Sequence, residues 1–347
     1  MRILITGNLG YVGPAVVRRL RASRPQARLE GLDTGYFAHC LTGVPAVPER
    51  LLDVQHYADV RTFDPAVLDG VDAVVHLAGI SNDPIGNQYE EITLDINHRG
   101  TVRLAERAKA AGARAFVFAS SCSIYGQADD TPRDERSELG PLTAYARSKA
   151  FAERDLERLA DDGFAVTCLR FATACGMSDR IRLDLVLNDF VAGAIASGRI
   201  EILSDGTPWR PLIHVTDMAR AVDWAVDRDA STSPHLVVNV GSDEWNYQVR
   251  DLAEAVARAV PGTTVSVNEH APPDKRSYRV SFALFRELAP RHQPQVSLDE
   301  AVAEIHRGLT AMGFRDVDFR SSQLMRLKAL DGLRQAGLLG SDLAWAG

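Results

Sequence analysis

Thr6-Gly7-Asn8-Leu9-Gly10-Tyr11-Val12-Gly13 is the stretch that decides the fold of this chain. It follows the short apolar run Arg2-Ile3-Leu4-Ile5, which reads as a buried strand. Tyr11–Ala22 then places Val12, Val16 and Leu20 four apart on one face, which predicts a helix. Pro14 falls in the first turn of that helix, where no N–H is needed. Glycines at 7, 10 and 13 permit a tight turn and a close backbone approach, and the helix N-terminus offers free N–H groups. In a strand–turn–helix context this spacing points to a bound pyrophosphate.

Outward from this turn, Arg28–Leu32, Ala73–Leu77, Ala115–Ala119 and Val166–Arg170 read as strands, and Ile92–Ala111 and Thr143–Leu159 as helices. Nearly continuous apolar strands alternating with helices imply a parallel sheet covered on both faces. With right-handed crossovers this is an α/β, doubly wound Rossmann fold. Residues 1–170 are expected to form the cofactor-binding domain, with a returning strand near Leu236–Val240. Residues 171–314 are less regular, with helices expected over Asp184–Ala196, Thr216–Ala225, Gln248–Ala259 and Ser297–Gly308 and a short strand at Ile200–Leu203. Ala271-Pro272-Pro273-Asp274 reads as a loop. This part is expected to be a smaller, interleaved substrate domain. Residues 315–347 form a tail with one amphipathic stretch, Leu324–Leu338.

Composition narrows the function. With 347 residues, 46% of them hydrophobic, the chain can bury a large core. A net charge of −7 disfavours nucleic acid as a partner, although a local arginine pocket can still bind an anion. Cys40, Cys122, Cys168 and Cys175 form no C-x-x-C pair, so neither a metal site nor a disulfide framework is expected. The first apolar run is too short for a signal peptide or a membrane span, which makes a cytoplasmic protein the expectation.

Two further features define a redox site. Asp33 ends the second strand, twenty residues beyond Gly13, where a carboxylate accepts hydrogen bonds from adenosine ribose hydroxyls and repels a 2′-phosphate. Thr34-Gly35-Tyr36 brings no arginine, so NAD is favoured over NADP. Tyr145-Ala146-Arg147-Ser148-Lys149 places a phenol and an ammonium four apart, on one face of a helix. A phenol titrates near 10 when unperturbed, and a neighbouring Lys⁺ favours the phenolate. Tyr145 can then exchange a proton with a hydroxyl while hydride is transferred. Lysine is rare here, occurring only at 109, 149, 275 and 328.

Taken in order, these residues resemble the extended short-chain dehydrogenase/reductases, in particular the NAD-dependent nucleotide-sugar epimerases and dehydratases. The resemblance spans about residues 1–310. It comprises the glycine turn, Asp59-Val60-Arg61, His76-Leu77-Ala78-Gly79, Asn97 and Ser120-Ser121-Cys122-Ser123-Ile124-Tyr125-Gly126. It continues through Tyr145-x-x-x-Lys149, Leu169-Arg170 and Trp209-Arg210-Pro211-Leu212-Ile213-His214-Val215-x-Asp217. It implies catalysis by Ser121, Tyr145 and Lys149. NAD would be held by Gly7, Gly10, Tyr11, Val12, Gly13, Asp33, Asp59, Val60, Leu77, Ala78, Gly79 and Asn97, together with Tyr145 and Lys149. A nucleotide-diphosphate sugar would be met by Ser81, Asn82, Ser121, Cys122, Ser123, Thr173, Asn188, Arg210 and Arg276. It also implies a homodimer through the helices at 92–111 and 143–159.

Relatives of this kind begin by oxidising a sugar hydroxyl to a 4-keto intermediate. Those that go on to remove water at C5–C6 carry Asp-Glu directly after the catalytic threonine, where this chain has Cys122 and Ser123. Epimerisation at C4 needs no such extra acid and base, and is the expected reaction. Dehydration, or 3,5-epimerisation with reduction, is the alternative. A cysteine base in relatives of the latter kind stands two before the tyrosine, at the position of Ser123. The offset turns Cys122 toward the opposite face of a strand. A non-catalytic NAD(H) sensor is the alternative of another class, and the presence of Ser121, Tyr145 and Lys149 together argues against it.

Overall fold

The structure is a computed structural model that describes all residues except 82, 128–130, 232, 269, 271–276 and 347. Seven parallel strands form the central sheet: β1 (Arg2–Thr6), β2 (Arg28–Asp33), β3 (Val54–Tyr57), β4 (Ala73–His76), β5 (Ala115–Ser121), β6 (Ala165–Phe171) and β10 (His235–Val240). Their order is β10-β6-β5-β4-β1-β2-β3, so the winding reverses between β1 and β4 and opens a crevice at the carboxyl edge. β10 is the expected returning strand, with Leu236 opposite Thr167 on β6.

The apolar runs are continuous because both faces of the sheet are covered. Ile3 and Ile5 enter one core cluster with Val75, Val117 and Leu169, whereas Leu4 enters the other with Val74, Phe116 and Phe118. This alternation is the two-residue period of a strand. On the first face, helix Gly13–Ser23 packs against helix Val215–Val226; on the other, Thr101–Ala110 packs against Ala144–Glu157.

Beyond β6, three short strands, β7 (Thr173–Cys175), β9 (Trp209–His214) and β11 (Asn246–Gln248), form a sheet in the order β11-β9-β7. β8 (Arg199–Ile202) pairs in parallel with β12 (Thr264–Val267). Among the described residues no helix is long and apolar enough to cross a membrane, and the four cysteines are free and buried.

One element differs from expectation. The helix expected over 92–111 begins at Glu90 and changes to a wider π-turn over Asp95–Gly100 before resuming at Thr101. Within that turn Asn97 donates to Ile80 O and accepts from Ile80 N–H, both at 2.7 Å, which ties the helix to the loop after β4. The tail packs on the body of the fold. Its helix, Arg326–Gln335, lies within the expected stretch, and its end folds back on the first third of the chain. Trp345 donates its indole N–H to Thr34 O, Tyr36 donates its hydroxyl to Leu343 O, and Arg61 donates to Asp342 O.

Candidate active site

A cleft of about 940 Å³ runs along the carboxyl edge of the sheet. It is lined from β1 by Gly7, from β2 by Asp33, from the turn after β3 by Asp59 and Val60, and from the turn after β4 by Leu77, Ala78 and Gly79. Beyond β5 it takes Ser121 and Ser123, and beyond β6 Thr173. Gly10, Tyr11, Val12, Gly13, Ser81, Tyr145, Lys149 and Arg210 complete the expected residues that face it.

The glycine turn is fixed by close approach. Gly7 has φ +75°, and a Cβ there would lie 2.5 Å from Ala78 N. A Cβ on Gly13 would lie 2.2 Å from Asn8 O. A side chain at either position would collide with backbone, so the turn stays thin where a dinucleotide must pass. Asp33 is fixed by N–H donors from Leu9 (3.0 Å) and Gly35 (2.7 Å), while burial pushes its carboxyl above the usual value. This cradle and the strand-end carboxylate suit NAD: Gly10–Gly13 for the diphosphate, Asp33 for the adenosine ribose.

At the other end, the helix Ala144–Glu157 is capped by Thr143, whose hydroxyl accepts from Ala146 N–H. One turn in, Lys149 points into the fold. Its ammonium donates to Ala119 O at 2.7 Å and lies 4.6 Å from the Phe118 ring centre and 5.7 Å from that of Tyr145. Burial lowers its pKa to about 8. Ser121 accepts from Ser123 N–H at 3.1 Å, which leaves its own O–H to donate into the cleft. The Ser123 hydroxyl oxygen is buried and has no hydrogen-bond partner among the described residues. Beneath these groups Ser120 hydrogen-bonds Glu153, which holds Arg170 in a paired fork.

Three expected site residues turn away from the cleft. Asn97 is buried and occupied with Ile80 and Ser148. Asn188 lies in the core face of helix Val186–Ser197, where its amide accepts from Gly176 N–H and donates to Tyr11 Oη and Arg182 O. Cys122 is fully buried, with its thiol donating to Arg170 O at 3.1 Å and its pKa pushed up by burial. The strand expected to continue through Cys122 ends at Ser121, and Cys122 opens a 3-10 turn, Cys122–Tyr125, that packs its thiol inward while Ser121 and Ser123 border the cleft. Asn82 and Arg276 lie outside the described residues, as does the loop expected at 271–274.

The cleft also holds arginines that sequence reasoning missed. Arg182 donates to Ser81 Oγ at 2.8 Å, forms a fork with Asp184 at 3.0 and 2.8 Å, and interacts electrostatically with Tyr145. Arg320 forks onto Asp189. Arg326, from the tail helix, lies over Phe37. A signal existed: Arg180, Arg182 and Asp184 alternate with the fully buried Ile181 and Leu183 in a run too apolar to be a solvated loop.

The family model described as NAD dependent epimerase/dehydratase family matches residues 3–241. A UDP-glucose 4-epimerase of Streptomyces lividans is 30% identical over 281 residues, covering 74% of this chain and 80% of its own. Among solved structures, an NAD-dependent NDP-hexosamine 5,6-dehydratase, TunA, superposes with a TM-score of 0.77 at 25% identity, over 91% of this chain and 99% of its own. MoeE5 in complex with UDP-glucuronic acid and NAD superposes with a TM-score of 0.75, also at 25% identity, over 90% and 99%.

Proposed function

Since this chain belongs to the NAD-dependent epimerase/dehydratase family, we propose that it epimerises a nucleotide-diphosphate sugar at C4 through a transient 4-keto intermediate. When bound, NAD supplies the hydride acceptor for C4. Tyr145 takes the proton of the C4 hydroxyl, with Lys149 beside it favouring the phenolate. Ser121 donates its O–H to the same sugar oxygen, and Ser123 offers a second hydroxyl along that wall. After the keto sugar has turned over, hydride returns to its other face and Tyr145 gives the proton back. Arg210 serves the diphosphate of the sugar nucleotide by its fork of donors. Two copies pairing through the helices around 92–111 and 143–159 belong to the same reading, checked by sedimentation.

The observation that carries the choice of reaction is the pair after Ser121. Elimination of water needs an acid and a base there, and neither position carries a carboxyl: Ser123 borders the cleft with its hydroxyl oxygen buried, and the Cys122 thiol faces Arg170 O. The 5,6-dehydratase neighbour keeps dehydration as the second reading. The test is incubation with UDP-, dTDP-, GDP- and CDP-sugars, UDP-glucuronic acid included, in D₂O under proton NMR. An epimer formed without deuterium uptake is expected. Deuterium at C5 with loss of water would replace this proposal by dehydration, and deuterium at C3 or C5 without water loss by a carbanion route.

A further inference from the structure

Arg326, from the tail helix, meets the segment that carries Arg180 and Arg182 at the edge of the cleft, and the counter-ions of the three do not balance. Arg180 is forked by Glu49 at 2.7 and 3.3 Å, and Arg182 by Asp184. Arg326 has no carboxylate partner among the described residues, although only 2% of it is exposed. Its Nη2 donates to Arg180 O at 2.6 Å and its guanidinium carbon lies 4.8 Å from the centre of the Phe37 ring. Its Nη1 is buried and has no hydrogen-bond partner, and the residue lines the cleft. Asp184 attracts it without forming an ion pair with it, and a buried charge so weakly compensated is unfavourable, as is an unused buried donor. Burial accordingly lowers its pKa to about 10, a value that still leaves it charged at neutral pH.

The geometry points to Arg326 as an anion subsite that the C-terminal segment delivers to the cleft, with Nη1 taking an oxygen of a nucleotide diphosphate bound there. This rests on the proposed function only in that a dinucleotide and a nucleotide sugar both bring such a group. The placement favours the diphosphate of the cofactor. Phe37, on which the guanidinium rests, follows Asp33 by four residues on the adenosine side of the cleft. Arg210 stands elsewhere, on β9. A planar fork held by one carbonyl and one ring keeps its remaining donors fixed in direction, which suits phosphate oxygen.

The test uses full-length protein stripped of nucleotide, as wild type, Arg326→Gln and Arg326→Met. Binding of ADP-ribose, adenosine and UDP is measured by calorimetry. For the variants a loss of about tenfold or more is expected for ADP-ribose, with adenosine, which carries no phosphate, unchanged. The melting temperature without ligand should hold or rise in Arg326→Met, because a buried unpaired charge is removed. The gain in melting temperature on adding ADP-ribose should shrink. A loss for UDP in place of ADP-ribose would keep the subsite and assign it to the diphosphate of the sugar nucleotide. Equal losses for all three ligands, or none, would overturn the proposal and make Arg326 a structural tie between Phe37 and Arg180.

Discussion

The two walls of the cleft are made of different materials. The floor, at the carboxyl edge of the sheet, is backbone brought close: Gly7 against Ala78, Gly13 against Asn8. The roof, from residues 180–184 and 320–326, is guanidinium: Arg182 on Asp184, Arg320 on Asp189, Arg326 on a carbonyl and a ring. The floor positions a ligand by shape and fixed N–H dipoles. The roof holds one by charge that the fold must itself keep balanced. A floor residue is therefore replaceable only at the cost of shape, and a carboxylate-paired roof residue such as Arg182 only together with its partner, while Arg326 has no such partner to lose.

The largest expected effect lies between the walls. Tyr145→Phe should lower kcat by about 10²–10⁴-fold while leaving NAD binding intact. Turnover near the wild-type rate would remove Tyr145 from proton transfer. In the roof, Arg182→Gln should destabilise the fold by about 2–3 kcal/mol, since it removes a charged fork from the buried Asp184, and Arg182→Gln with Asp184→Asn should recover part of this. Urea denaturation checks both, and an additive double variant would break the contrast between the walls. In the floor, Gly13→Ala should cost on the order of 1–3 kcal/mol and weaken NAD binding, with no second substitution restoring it, because its Cβ meets backbone.

A fourth test concerns pH. Burial holds Lys149 at about 8, whereas in the unfolded chain it titrates at the ordinary lysine value of 10.5. Between those values the unfolded state binds more protons, so the contribution of Lys149 to stability rises with pH across that window. Measured against Lys149→Met, the wild-type deficit in urea midpoint should narrow from pH 8 to 10.5. A constant deficit would mean that Lys149 is solvated. The smallest effect is expected of Cys122→Ala, less than about tenfold in kcat, because the thiol faces Arg170 O rather than the cleft. A larger fall would revive a thiol base.

The same contrast decides what was legible in the sequence. Floor residues are readable because the chemistry admits few substitutes. Glycines at 7, 10 and 13, a carboxylate closing β2, and a tyrosine four before one of only four lysines leave little choice. Six strands of the sheet follow from apolar runs and turn spacing, the returning strand among them, whereas β3, Val54-Gln55-His56-Tyr57, carries too few apolar residues to be read that way. The roof escapes such reading because its arginines reach the cleft through partners far along the chain, even though the carboxylate fork of Arg182 lies only two residues away. Arg182 meets Ser81 across 101 residues, and Arg326 meets Arg180 across 146. In sequence Arg326 begins an amphipathic tail, where a charge ordinarily faces water. Asn188 and Asn97 pose the opposite difficulty. A polar residue near a site invites a ligand, yet each satisfies buried backbone instead: Gly176 and Arg182 in one case, Ile80 in the other.

The tail also sets an order of assembly. Tyr36 bonds to Leu343 and Thr34 to Trp345, partners separated by 307 and 311 residues. During synthesis the glycine turn, the first strands and the Tyr145 helix emerge long before these partners exist. Closing so long a loop carries an entropic cost that can be met only when the last turn of chain docks. The part of the roof that carries Arg320 and Arg326 therefore joins the cleft only after the tail has been made, later than Arg182, the glycine turn and the Tyr145 helix.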